Sequence, residues 1–122
     1  MESLSNNSAL SLQAQPGYLA LWEFHVKPEA RAEFERAYGP EGDWAQLFGK
    51  SPDYRGTELL RDPSGSGRYL TLDRWASRDA FLQFKREFQS EYAALDRQCE
   101  ALTERESLLG EFSVCSASVN AC

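Results

Sequence analysis

Apolar residues along this chain switch between a period of two and a period of three to four, and the switches mark its elements. From Tyr18 to Val26 they alternate. Tyr18, Ala20, Trp22, Phe24 and Val26 share one face and Leu19, Leu21, Glu23 and His25 the other, which predicts a strand. Pro28 suits the first turn of a helix with Ala30, Phe34, Ala37 and Tyr38 as its buried stripe, and Gly39-Pro40 stops it. A short helical piece over residues 43–48 puts Trp44, Leu47 and Phe48 on one side, either as a flap over a pocket or as plain packing of a long connection. Residues 54–61 read as a second strand, and the turn-rich segment 62–67 leads into a third over 68–75. In the third strand Tyr69, Thr71, Asp73 and Trp75 lie on one face, with Arg68, Leu70, Leu72 and Arg74 on the other.

Ser77 then offers an N-cap hydroxyl and Asp79 a first-turn carboxylate. Phe81, Phe84, Phe88, Tyr92, Leu95, Cys99 and Leu102 recur at helical spacing, with a kink or break expected near Gln89-Ser90. Residues 106–114 read as a fourth strand, with Leu108, Gly110, Phe112 and Val114 on one side. The order strand, helix, strand, strand, helix, strand is the α+β, ferredoxin-like βαββαβ plan: an antiparallel sheet with helices on one face. The other face, expected to carry Leu19, Leu21, Leu59 and Leu109 beside Glu23 and His25, is too apolar to stay wet, so a sheet-to-sheet homodimer is expected. Residues 1–16 read as a disordered leader, 17–114 as the one domain and 115–122 as a flexible tail.

Thirteen Lys and Arg against 19 Asp and Glu give a formal charge of −6, which argues against nucleic acid or an anionic membrane as partner. No apolar run approaches the ~20 residues needed to cross a bilayer, and the first 16 residues lack the pattern of a signal peptide. Cys99, Cys115 and Cys122 lack metal-ligand spacing; Cys99 reads as a buried thiol and the other two as reduced, so a cytoplasmic location is expected.

Taken together, LWEFHVKPEARAEFERAYGP, YRGTELLRD, YLTLDRWASRDAFLQFK and ESLLGEF resemble the antibiotic biosynthesis monooxygenase (ABM) superfamily of dimeric α+β barrels, over residues 18–114. The most specific part is the strand ending in Trp75, followed by Ala76-Ser77 and an aromatic-rich helix. The resemblance implies a small homodimer with a pocket between sheet and helices. Some members oxidise aromatic polyketides with molecular oxygen and neither metal nor flavin. Others degrade haem with a His on the second helix, an Asn on the first strand and a Trp on the third. Here only the Trp carries across, onto Trp75; residues 78–92 hold no His and the first strand no Asn. No cofactor and no metal are therefore expected.

The candidate catalytic residues are Trp75, Asp73 and His25. Trp75 stands at a strand-to-helix corner, facing either a cavity or the core. Asp73 shares a face with Trp75 and Tyr69, where a carboxylate among rings has a raised pKa and accepts protons. The favoured alternative for Asp73 is a salt bridge to Arg55 or Arg61. His25 is a base at neutral pH beside Glu23, or an interface residue on the outer sheet face. Trp22, Phe24, Tyr38, Trp44, Tyr54, Phe81 and Phe84 are the candidate lining for a flat aromatic ligand. Two readings follow: a cofactor-independent monooxygenase acting on an aromatic small molecule, or a non-catalytic ligand-binding or interaction dimer on the same fold.

Overall fold

A computed structural model describes residues 17–115, so the expected leader and residues 116–122 of the expected tail lie outside the described residues. Four strands, β1 (Tyr18–Val26), β2 (Tyr54–Arg61), β3 (Arg68–Trp75) and β4 (Thr103–Ser113), form one sheet in the order β2-β3-β1-β4, with every pairing antiparallel. A turn of 3-10 helix, Pro28–Ala30, leads into α1 (Arg31–Tyr38), followed by α2 (Asp43–Phe48), α3 (Arg78–Glu87) and α4 (Gln89–Cys99). This is the expected α+β, ferredoxin-like arrangement. No described helix is long and apolar enough to cross a membrane.

The alternation in β1 and β3 has the predicted consequence. Tyr18, Ala20, Phe24 and Val26, with Tyr69, Thr71 and Trp75, are buried under the helices. Phe34 of α1 stacks on Tyr38 at 4.2 Å and leans on Phe24 and Tyr69 at 5.2 and 4.9 Å. Ser77 caps α3, its hydroxyl accepting from the Ala80 amide at 3.0 Å, while Lys85 and Arg86 stand in the last turn where the helix dipole favours cations. The long helical pattern does break, at Phe88 (φ −112°, ψ 35°), one residue before the expected place. Phe88 turns its ring onto Phe84 at 5.0 Å, so the break lets two helix axes follow one curved core.

Strand β4 departs from expectation. It starts at Thr103, and its register against β1 shifts between Leu21 and Trp22: Leu21 faces Gly110 while Trp22 faces Leu108. Leu109 is the extra residue of a β-bulge, which bends the strand and flips its alternation. Leu108 and Glu106 therefore stand on the helix-side face, opposite Trp22 and Phe24, and Gly110 and Phe112 stand on the outer face, opposite Leu21 and Leu19. The expected common side for Leu108, Gly110 and Phe112 is thereby corrected. Leu59 is corrected too: paired with Thr71, it packs against the core, and Leu60, paired with Leu70, takes the outer position.

Cys99 is a buried free thiol, as expected. Cys115, expected to be reduced, is disulfide-bonded and so lends no support to a reducing compartment, while Cys122 lies outside the described residues.

Candidate functional site

A second bulge builds the polar end of the site. In β2 the register against β3 shifts between Tyr54 and Gly56, with Arg55 as the inserted residue. Gly56 adopts φ 116°, a left-handed value that a side chain would strain. Because of the insertion, Tyr54 and Thr57, three residues apart, both stand on the helix-side face, and Thr57 lies opposite Asp73. The Thr57 hydroxyl donates to Asp73 Oδ1 at 2.7 Å. Its oxygen lies 2.6 Å from the Tyr54 hydroxyl. With the Thr57 proton committed to Asp73, Tyr54 is the donor in that second contact, giving a chain from Tyr54 through Thr57 to Asp73.

Asp73 has no arginine partner among the described residues; Arg61, offered by the sequence for that role, pairs with Glu35 at 3.2 Å. The expected salt bridge is thus absent. Burial pushes the Asp73 carboxyl up to about 6, against the smaller opposing effect of the Thr57 hydrogen bond.

Asp73 stands in the wall of a cavity of about 290 Å³ between the sheet and α1, α2 and α4. Its apolar walls are six rings: Trp22 and Phe24 from β1, Tyr38 from α1, Trp44 and Phe48 from α2, and Tyr92 from α4. Thr57, Thr71 and Asp73 supply polar groups from the sheet, with Lys85 from α3, Asp96 from α4 and Glu106 from β4. Burial also raises the Tyr38 and Tyr92 hydroxyls, Tyr92 to about 12, so both are neutral donors at physiological pH. The Glu106 carboxyl is raised by burial and then by the negative charges of Asp96 and Glu100. Lys85 spreads its ammonium over the Tyr92 ring at 4.8 Å. Flat aromatic walls, the raised carboxyls of Asp73 and Glu106 and the Lys85 ammonium suit a planar, ionisable ring. Among the described residues no cluster of three His, Cys, Asp or Glu side chains could hold a metal ion.

A family model described as antibiotic biosynthesis monooxygenase matches residues 17–94. The chain belongs to the ABM family. Among solved structures it resembles SnoaB, a cofactor-independent oxygenase from Streptomyces nogalater, with a TM-score of 0.63 and 21% identity over 84% of this chain and 96% of that one. A candidate antibiotic biosynthesis monooxygenase from Bordetella bronchiseptica superposes with a TM-score of 0.64 at 18% identity, over 84% of this chain and 100% of that one. Another, from Nitrosomonas europaea, gives 0.65 at 11% identity, over 86% and 96%. At these identities the likeness is one of fold. No match was found among curated proteins.

Within this ABM-family chain the predicted site residues separate into four groups. Trp22, Phe24, Tyr38, Trp44 and Asp73 line the cavity. Tyr54, Trp75 and Phe84 stand behind it: Trp75 is fully buried, with the rings of Phe48 and Tyr54 at 5.3 Å and those of Phe81 and Phe84 at 5.2 Å. Its indole N–H has no hydrogen-bond partner among the described residues. Phe81 faces a neighbouring cavity. His25 lies on the outer sheet face, 3.7 Å from Glu23 and 3.3 Å from Arg105. Sequence reasoning missed Phe48, Thr57, Thr71, Lys85, Tyr92, Asp96 and Glu106 as lining. Tyr92 was legible as part of the helix stripe, whereas Thr57 reaches the cavity only through the bulge at Arg55.

Proposed function

We propose that this ABM-family protein is a cofactor-independent monooxygenase acting on an electron-rich phenol or anthrone, with Asp73 as the general base. The observation that carries this reading is a carboxyl pushed up to about 6, steadied by Thr57, in the wall of an aromatic cavity. Such a carboxylate is ionised at neutral pH and more basic than an exposed one. Taking a proton from a phenol of pKa about 10 remains uphill by roughly four units, about 5 kcal/mol, so the anion needs stabilisation in place. The Lys85 ammonium and the neutral Tyr hydroxyls of the cavity supply it.

The rest of the chemistry belongs to the substrate. The carbanion-like anion passes one electron to O2, and superoxide and the carbon radical combine to form a C–O bond. The hydroperoxide then loses water, leaving C=O where CH2 stood, with the second oxygen atom in the water. The balance is CH2 + O2 → C=O + H2O. Fold does not dictate this activity; oxygen uptake does. Purified protein with an anthrone-type substrate and a chelator, and no flavin, is expected to consume one O2 per substrate with a rate that rises with pH through about 6. Ligand binding without oxygen uptake would leave the non-catalytic binding dimer in its place.

The proposal includes a homodimer through the outer sheet face, which carries Leu19, Leu21, Leu60, Leu70, Leu72 and Phe112; Leu60 and Phe112 alone are 46% and 49% exposed. Light scattering at micromolar concentration is expected to give twice the chain mass of 13.8 kDa, and Leu21→Asp to release monomers or precipitate the protein. A wild-type particle of one chain mass would rule the dimer out.

A further inference from the structure

A second cavity of about 280 Å³ adjoins the first, and the two share Trp22, Lys85 and Tyr92 as common walls. The remainder of the second is chiefly apolar, with Ala20, Phe81, Leu82 and Leu108 among its walls. Its charged groups are satisfied within the protein. Glu111 accepts from the Tyr18 hydroxyl at 2.9 Å and from Arg78 Nε at 2.7 Å, and Arg78 holds its carboxyl below the usual range. A charged ligand group entering there would have to displace one of these partners, whereas an alkyl group would displace only water.

The shared wall has a different character. The Lys85 ammonium lies over the rings of Tyr92 and Phe81, at 4.8 and 5.6 Å, and pairs with no carboxylate among the described residues. A cation held only by ring faces remains able to meet an oxygen placed between the chambers.

We infer that the two cavities are one bipartite site that takes a single molecule: a flat hydroxylated ring in the first chamber, an uncharged alkyl or acyl chain in the second, and an oxygen between them at Lys85. This rests on the aromatic-ligand reading above and narrows it to alkyl- or acyl-substituted phenolic ketones. Leu108 of β4, opposite Trp22, lines the second chamber.

The test is anaerobic calorimetry, so that binding is read without turnover, with 1-naphthol and its 2-acyl derivatives of increasing chain length. Affinity is expected to rise about fourfold per methylene while the chamber fills and then level off. Leu108 is 43% exposed, so Leu108→Trp can occupy the chamber without disturbing the core. That variant is expected to flatten the chain-length dependence while 1-naphthol itself binds within about twofold of wild type; Leu82→Trp serves as an independent second block. Chain-independent affinity in the wild type, or equal weakening of short and long ligands in both variants, overturns the bipartite site and leaves the oxygenase reading intact. Steep chain dependence without oxygen uptake supports the bipartite site and overturns the oxygenase. Absence of binding by every member overturns both.

Discussion

Asp73→Asn is expected to lower turnover by about 10²–10⁴-fold, the usual contribution of a positioned base, and at the same time to make the protein more stable at pH 7. The two effects share a cause. Burial raises the folded-state pKa from 3.8 to about 6, so the fold favours the protonated carboxyl. Stability from this group is therefore complete below about 3.8 and is lost as pH rises through about 6. At neutral pH the ionised form weighs against folding by an amount set by a shift of about two units, roughly 1–3 kcal/mol once its partial exposure is allowed for. Asparagine keeps an oxygen able to accept from Thr57 and carries no charge. A rise of about 4–12 °C in Tm at pH 7 is expected, from a sensitivity of roughly 4 °C per kcal/mol for a domain of this size.

The pH dependence makes the test sharp. Wild type should lose stability relative to Asp73→Asn between about pH 4 and pH 7, and the two should converge in acid. A variant less stable than wild type at pH 7 and equal to it at pH 4 would mean that the carboxylate is held by a cation, contrary to the geometry. Undiminished turnover in a folded variant would remove Asp73 from the chemistry. A gain in stability on losing a functional group is the expected signature of a site that carries strain for activity.

Most of the frame was legible from the sequence because periodicity reports burial. The alternation in Tyr18–Val26 and Arg68–Trp75 placed both strands with the correct face inward, and Ser77 marked the start of α3. The site was legible only in part, because alternation fails where a strand carries an extra residue. Counting by twos from Tyr54 puts Thr57 on the outer face and leaves Asp73 free for an arginine. With Arg55 inserted at Gly56, Thr57 turns inward to meet Asp73 instead. The same error in β4 put Phe112 on the side of Leu108, whereas the bulge turns it to the outer face. Glycine within a strand was the available signal at Gly56, since an isolated one marks a bulge or a close approach. At Leu109 there was no comparable mark beyond the neighbouring Gly110. His25 was placed on its correct face, and that face is across the sheet from the cavity.

Trp75→Ala is expected to destabilise the protein by about 3–5 kcal/mol, the range for emptying a large aromatic site in a packed core. Phe48, Tyr54, Phe81 and Phe84 all lean on the indole at 5.2–5.3 Å, so its removal leaves four rings without a partner on one side. Trp75→Phe separates packing from chemistry. It leaves a smaller void, and it removes a buried N–H that has no acceptor among the described residues. An unsatisfied buried donor costs about 1–3 kcal/mol, which offsets much of the lost contact. The net change for Trp75→Phe is expected to stay under about 2 kcal/mol, with oxygen uptake within a few-fold of wild type, measured on material that remains folded and unchanged in assembly. Trp75 is separated from the cavity by the ring of Phe48, which faces both the indole and the cavity. A hundredfold loss of turnover in stable Trp75→Phe would show that the indole N–H reaches substrate, and would require Phe48 to swing aside when the cavity is filled. Phe48→Ala would then enlarge the site and raise affinity for bulkier rings, whereas with Trp75 in the core it only loosens the wall and lowers both stability and affinity.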